Sequence, residues 1–295
     1  MNEFLRSVVG GLGAGSAYAL LALGFVIIYK ATRVISFAQP AFMLAGAVLV
    51  SYLVGAVGFV PALLLGVAGV ALVALGVERA VVRPMVGRPV FVVAIITLGI
   101  DIALRVVING FIGPDVRQVG DPWGLRQVTV LGVRVQQRHL AMILTTAVVI
   151  AVLFAFFKYS RIGLAMRAAS FDQETALAQG VSVGTVFALS WAIAGGLAAV
   201  AGVFVATGSG VDQQLWIIAL KALPAIILGG LDSLGGAVAG GLTVGLVESL
   251  VATYQGDIAP WLGQNFSVVS PYVVMLLVLL LRPYGLFGTR EVERV

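Results

Sequence analysis

KYSRIGLAMRAASFDQETALAQGVSVG, residues 158–184, is the longest stretch of this chain too polar for a membrane interior, and long apolar runs flank it on both sides. Lys158, Arg161 and Arg167 give it a basic start, and Asp172 and Glu174 follow. Ile162, Ala165, Met166 and Ala169 recur at helical spacing, which predicts a short amphipathic helix within it. A polar helix between membrane spans has two readings. It is a linker lying on lipid headgroups, or a handle gripped by a cytosolic partner.

The flanking sequence sets the fold class. The chain has 295 residues, 60% of them hydrophobic and 11% charged, against roughly 25% charged in soluble domains. Its mean hydropathy is +1.09. That much apolar surface does not fit inside one water-soluble core, so the expectation is an all-α polytopic integral membrane protein forming a single domain over residues 1–295. A membrane helix needs about 20 apolar residues. Runs at 7–29, 34–54, 60–77, 90–111, 140–157, 186–206 and 267–281, with two more inside 215–254, predict eight or nine crossings with interrupted or re-entrant segments. The first run is longer than the roughly 7–15 residues of a signal-peptide core and reads as the first span. Residues 112–139 form a second polar loop, in which VTV and VRV alternate as a short hairpin would.

Polar residues inside the spans are the candidate functional groups, because a charge in hydrocarbon costs several kcal/mol unless it is paired or wet. Asp101 and Arg105 stand one helical turn apart and can pair on one face. Lys221 and Glu248 lie thirteen and fourteen residues either side of a turn centred near Leu234, so an antiparallel hairpin brings them to one depth and predicts a buried ion pair, unless Pro224 breaks the first helix and shifts the register. Each pair reads either as a structural clamp or as a transport group. Pro40 removes a backbone donor near the start of the 34–54 run. It marks either an interrupted helix along a substrate path, with Ser36, Phe37 and Gln39 beside it, or an ordinary proline-started helix. Gly11, Gly15 and Ala19 form a small-residue stripe for close helix packing.

Eleven Lys and Arg residues flank the spans on the side of residues 158–184, and five lie on the other. The positive-inside bias therefore places residues 158–184 and the C-terminus in the cytoplasm, residues 112–139 outside it, and the N-terminus outside.

Several chemistries are absent. There is no cysteine, and His139 is the single histidine, which removes thiolate catalysis, disulfides and the usual zinc sites. None of the three lysines follows a glycine, so no phosphate-binding loop of the G-x-x-x-x-G-K type exists. No nucleophile–base set sits at membrane depth. What remains is a channel, a transporter, or a transporter's membrane subunit. A stand-alone secondary transporter or channel would use Asp101, Arg105, Lys221 and Glu248.

Six stretches in order carry a resemblance over nearly the whole length: GLGAGSAYALLALGFVIIY (11–29), VISFAQPAFM (34–43), ERAVVRPMVG (78–87), SRIGLAMRAASFDQETALAQGV (160–181), LKALPAIILGGLDSLGGAVAGGLTVGLVESL (220–250) and LRPYGLFGTREVERV (281–295). The chain resembles the membrane permease subunits of the branched-chain amino-acid ABC importers. The resemblance implies a bacterial inner-membrane subunit that builds a pathway with an identical or paralogous second permease. Two cytosolic ATPases would bind ATP and Mg and drive it, and an extracytoplasmic binding protein would deliver substrate. No cofactor on this chain and no nucleic acid are implied; lipid surrounds it. The helix at 161–179 would be the coupling helix docked in an ATPase groove, with Arg161, Met166, Arg167, Asp172, Glu174 and Gly180 as contacts. Glu174–Thr175–Ala176 with Gly180 is similar to the Glu-Ala-Ala-x-x-x-Gly pattern of import permeases, with Thr in the second place. The family's Phe-Ala-His-Gly-acid run is here Phe37, Ala38, Gln39, Pro40, Ala41. If that segment lines the path, the cargo extends beyond branched-chain amino acids toward urea, short amides or aromatic acids.

Overall fold

A computed structural model describes residues 2–289 except 86, 114, 125, 131 and 264. Arg290 and Arg294, counted above among the basic residues, lie outside the described residues, as does most of the polar tail.

The chain is an all-α bundle. Its helices are α1 (Asn2–Thr32), α2 (Gln39–Val57), α3 (Phe59–Val77), α4 (Val90–Ile112), α5 (Gln137–Tyr159), α6 (Arg161–Phe171), α7 (Gln173–Ala178), α8 (Val183–Ser209), α9 (Ala222–Gly229), α10 (Leu234–Ile258) and α11 (Phe266–Leu281). Among the described residues, seven helical segments are long and apolar enough to cross a membrane, and two shorter apolar ones span 215–229 and Phe266–Leu281. The core is α1 against α8 and α10, with α2 and α3 packed on α8. At 31 residues, α1 is about 46 Å long, well beyond the roughly 30 Å hydrocarbon layer. Its stretch from Ala17 to Ile28 is almost wholly enclosed by protein.

The small-residue stripe is what lets α1 and α10 approach. A side chain added at Gly11 would lie 2.9 Å from the Gly245 carbonyl, and one at Gly15 would lie 2.9 Å from the Leu242 Cα. Backbone meets backbone along this line, the packing expected of small-xxx-small faces. By contrast α4 and α5 bury few residues and present Ile95, Val106, Leu144 and Val152 outward.

Of the two readings of Pro40, the proline-started helix holds: α2 begins at Gln39 rather than near 34, with Pro40 in its first turn, where no backbone donor is lost, and residues 33–38 enter it as non-helical chain. One expectation about the spans is corrected. The first arm of the 215–254 pair is not a full α-helical span. It is a 3-10 stretch, Leu215–Lys221, running into the short α9. At about 2.0 and 1.5 Å per residue these fifteen residues still cover some 26 Å.

The connections sort into two ends. At one end Lys30 Nζ donates to the Asp232 carbonyl (3.0 Å), Gln173 to the Ala31 carbonyl (2.8 Å) and Arg83 to the Gly184 carbonyl (2.7 Å). At the other, Arg117 and Val211 exchange backbone hydrogen bonds, Tyr52 donates to the Phe111 carbonyl (2.6 Å) and Gln213 to the Gly113 carbonyl (3.2 Å). The predicted hairpin is present at this second end: β1 (Gln127–Val130) pairs antiparallel with β2 (Val133–Gln136). Trp123 pins the loop by stacking on Phe204 of α8 at 5.6 Å.

Candidate functional site

Residues 158–184 fold as two helices rather than one. Ser160 caps α6 by accepting from the Gly163 amide (2.8 Å). Asp172 ends that helix and begins the next. Its carboxylate accepts from the Glu174 amide (2.9 Å), the Thr175 amide (3.1 Å) and the Thr175 hydroxyl (2.6 Å). These bonds, led by that of the Thr175 hydroxyl, hold the Asp172 carboxyl below its ordinary pKa. Asp172 is thus committed inside the loop as an N-cap. Gly180 closes α7 at φ +82°, with its amide on the Leu177 carbonyl and that of Val181 on Ala176. That is the αL helix ending that glycine favours, so the Glu-Thr-Ala-x-x-x-Gly pattern includes a terminator.

The faces of this loop divide cleanly. Met166, Ala169 and Ala176 are buried toward the bundle. Met166, expected among the partner contacts, therefore packs inward, while Ile162, expected on the buried face, is half exposed. Arg161, Arg167 and Glu174 point to solvent. Between them stand apolar side chains that the charge pattern did not single out: Phe171 is 88% exposed, Leu177 61% and Leu164 59%. Leu164 and Phe171 are legible in the sequence as large apolar residues on the opposite side of the helical wheel from Met166 and Ala169; Leu177 is not, because it stands on the second helix. The rear of the loop is bonded to the bundle through the Gln173–Ala31 contact and through Arg33, which donates to the Ser170 carbonyl at 3.0 Å. Arg33 adopts φ +58°, the one non-glycine residue at positive φ among those described. It turns the chain from α1 into residues 34–38.

Those residues lead to the expected path segment. Ser36, Gln39 and Pro40 are enclosed by this protomer, and Phe37 is half-buried. The α2 N-terminus is held by α4. Phe37 donates its amide to the Thr97 hydroxyl (3.0 Å) and Ala41 to the Asp101 carboxylate (2.9 Å). The other carboxylate oxygen of Asp101 takes Arg105 at 2.7 Å, and the Arg105 guanidinium lies 3.8 Å over the Trp216 ring. The Asp101–Arg105 pair therefore ties α4 to α2 and to the 3-10 stretch. Gln39 is the exception, since neither its amide nitrogen nor its oxygen has a hydrogen-bond partner although both are buried.

The second expected pair also forms. Lys221 contacts one oxygen of Glu248, and Tyr18 of α1 donates to the other at 2.7 Å. Pro224 does not shift the register, because it lies in the first turn of α9. Tyr18 is a member that hairpin spacing does not reveal, since nothing local in the sequence connects it to Glu248, 230 residues away. His139 packs between α1 and α5 against Gly13.

Apolar helices joined by intramembrane ion pairs, with a two-helix loop standing off one end, define a multi-pass α-helical membrane protein. The chain belongs to the family described as "Branched-chain amino acid transport system / permease component", whose model matches residues 7–279. The high-affinity branched-chain amino acid transport system permease protein LivH of Salmonella typhimurium is 29% identical over 314 residues, covering 99% of this chain and 98% of the relative. BraD of Pseudomonas aeruginosa, which carries the same description, is 29% identical over 311 residues with the same coverage. A probable branched-chain amino acid transport permease protein LivH of Methanocaldococcus jannaschii is 29% identical over 296 residues, 95% of this chain and 91% of the relative. The solved structure of PsaBC from Streptococcus pneumoniae in complex with Fab gives a TM-score of 0.46 at 17% identity, over 94% of this chain and 89% of that one, too slight a likeness to reason from. The chain is a permease component of a transport system, consistent with its six ordered motifs.

Proposed function

We propose that this chain is one of two permease subunits of a binding-protein-dependent ABC importer in the bacterial cytoplasmic membrane. Its cargo is a branched-chain amino acid or a related small amphipathic solute. Two separate ATPases hold ATP and Mg and drive the cycle; a second permease, identical or paralogous, completes the pathway; an extracytoplasmic binding protein supplies substrate. The N-terminus lies outside and the C-terminus in the cytoplasm.

One observation carries this reading. The α6–α7 loop exposes Phe171, Leu177 and Leu164 among Arg161, Arg167 and Glu174, while its rear is bonded to α1 through Ala31 and Arg33. An apolar centre with a charged rim is the composition of a protein-binding patch, and exposed apolar groups of that size are not needed to fold the loop. A motor that moves this patch as a rigid body pulls on the C-terminus of α1 and on the 34–38 segment beside Ser36, Phe37, Gln39 and Pro40, a hinge or shear transmission. The four intramembrane charges are engaged with each other in two pairs, Asp101 with Arg105 and Lys221 with Glu248, an arrangement that suits helix clamps.

Uptake in proteoliposomes tests the proposal. Substrate should accumulate only with both ATPases, ATP inside and the binding protein outside. Accumulation by this chain alone, driven by a proton gradient without ATP, would overturn it.

A further inference from the structure

We infer that a cleft between α1, α5, α8 and the 3-10 stretch is a site for the carboxylate and apolar side chain of an incoming solute. The inference rests on the importer reading above.

The cleft is partly open and has a volume of about 220 Å³. Liquid water occupies about 30 Å³ per molecule, so the space suits a solute of roughly seven water volumes, smaller than the drug-sized sites of about 300–1,000 Å³. Its residues fall on two levels. Arg138 and Gly208 lie at the ends of α5 and α8 that meet the 112–139 loop. One helical turn further in, about 6 Å, come Met142 on α5 and Phe204 on α8, with Ala14 and Ile218 completing apolar walls. Tyr18, whose hydroxyl is committed to Glu248, borders the inner part.

The outer level holds a charge. No acidic group pairs with Arg138 among the described residues. Its guanidinium lies against Gly208, where an added side chain would stand 2.8 Å from Nη1. A guanidinium offers a planar fork that matches a carboxylate; His139 and Thr207, each next in the chain to Arg138 or Gly208, add polar edges at that level, and Met142, Phe204, Ala14 and Ile218 with the Tyr18 edge make the apolar walls inward of it. A charged head outside and an aliphatic tail inside is the order in which this cleft receives an amphipathic carboxylate from the loop end. Urea, which has no carboxylate and no tail, does not fit it.

Equilibrium dialysis of [14C]leucine against the detergent-solubilised permease–ATPase assembly, without the binding protein, tests this directly. We expect saturable binding that leucinamide and urea do not compete for, a tenfold or greater loss in Arg138→Gln, a smaller loss in Arg138→Lys, and a loss in Gly208→Val, whose side chain occupies the mouth. Size-exclusion elution of each variant with its ATPases reports that it is assembled. Leucine binding that is undiminished in Arg138→Gln would overturn the inference. So would phosphatidylglycerol, rather than leucine, co-purifying in an Arg138-dependent way. Both outcomes leave ATP-driven uptake by the wild type intact. Loss of that uptake in the wild type would instead remove the importer reading and this site with it.

Discussion

Asp101 shows how one side chain settles two questions at once. Its two oxygens serve different elements, one the Ala41 amide and one the Arg105 guanidinium. Asp101→Ala removes a helix cap and strands a buried cation, and breaking such a pair costs about 3–5 kcal/mol. Asp101→Asn keeps an acceptor for Ala41 and should cost less than Asp101→Ala. Thermal unfolding in detergent orders the two variants, and equal losses would mean that the cap does not matter. Lys221 and Glu248 allow a cleaner test, because reversal is possible. Lys221→Glu or Glu248→Lys alone should lose about 3 kcal/mol, and the double reversal should recover much of it, the signature of coupled partners. Recovery will be incomplete, since Tyr18 donates to the glutamate at its native position. The pair was legible from spacing about a turn, as Asp101–Arg105 was from i,i+4 spacing. Their third partners, Tyr18, Trp216 and the Ala41 amide, were not, because each comes from a helix whose placement only the fold decides.

At the scale of elements, the α6–α7 loop departs most from its sequence reading. Period and charge pointed to one helix; Asp172 makes it two by capping α7. That carboxyl is held below its ordinary pKa, so the stability it contributes is present above the unfolded value of about 4 and lost as pH falls through the lower folded value. Nothing about this cap should vary between pH 6 and 8, and constant hydrogen-exchange protection factors at α7, taken relative to the base-catalysed intrinsic rate at each pH, check it. The exposed apolar residues bear on docking. Phe171→Asp and Leu177→Asp should each cut co-purification with the ATPases at least tenfold without changing thermal stability, and Arg167→Glu should weaken it less. Unchanged recovery of the ATPases would move the contact elsewhere. The 3-10 rise of the 215–229 segment is not legible in the sequence, because composition reports apolarity and not rise per residue. A 3-10 stretch lets fifteen residues cover a depth that an α-helix reaches with about 17.

For the whole molecule, the apolar runs, the hairpin and the glycine stripe between α1 and α10 could all be read in the chain, because each is a local or periodic signal. The enclosure of Ser36 and Gln39 within one protomer could not, since it depends on α4 and α8 meeting α2. The alternation of chain ends is consistent with the charge bias, and the absence of cysteine makes the topology simple to test. Single cysteines placed at Gly124 and at Gln179 should react with a membrane-impermeant maleimide from outside and only after permeabilisation, respectively. The most direct measurement of the central claim uses the same background. Phe171→Cys, labelled with a photoactivatable cross-linker in the assembled transporter, should join this chain to an ATPase subunit, in a yield that changes when ATP is bound. Labelling of that cysteine from the outside of intact cells, or a cross-link only to lipid, would contradict the account.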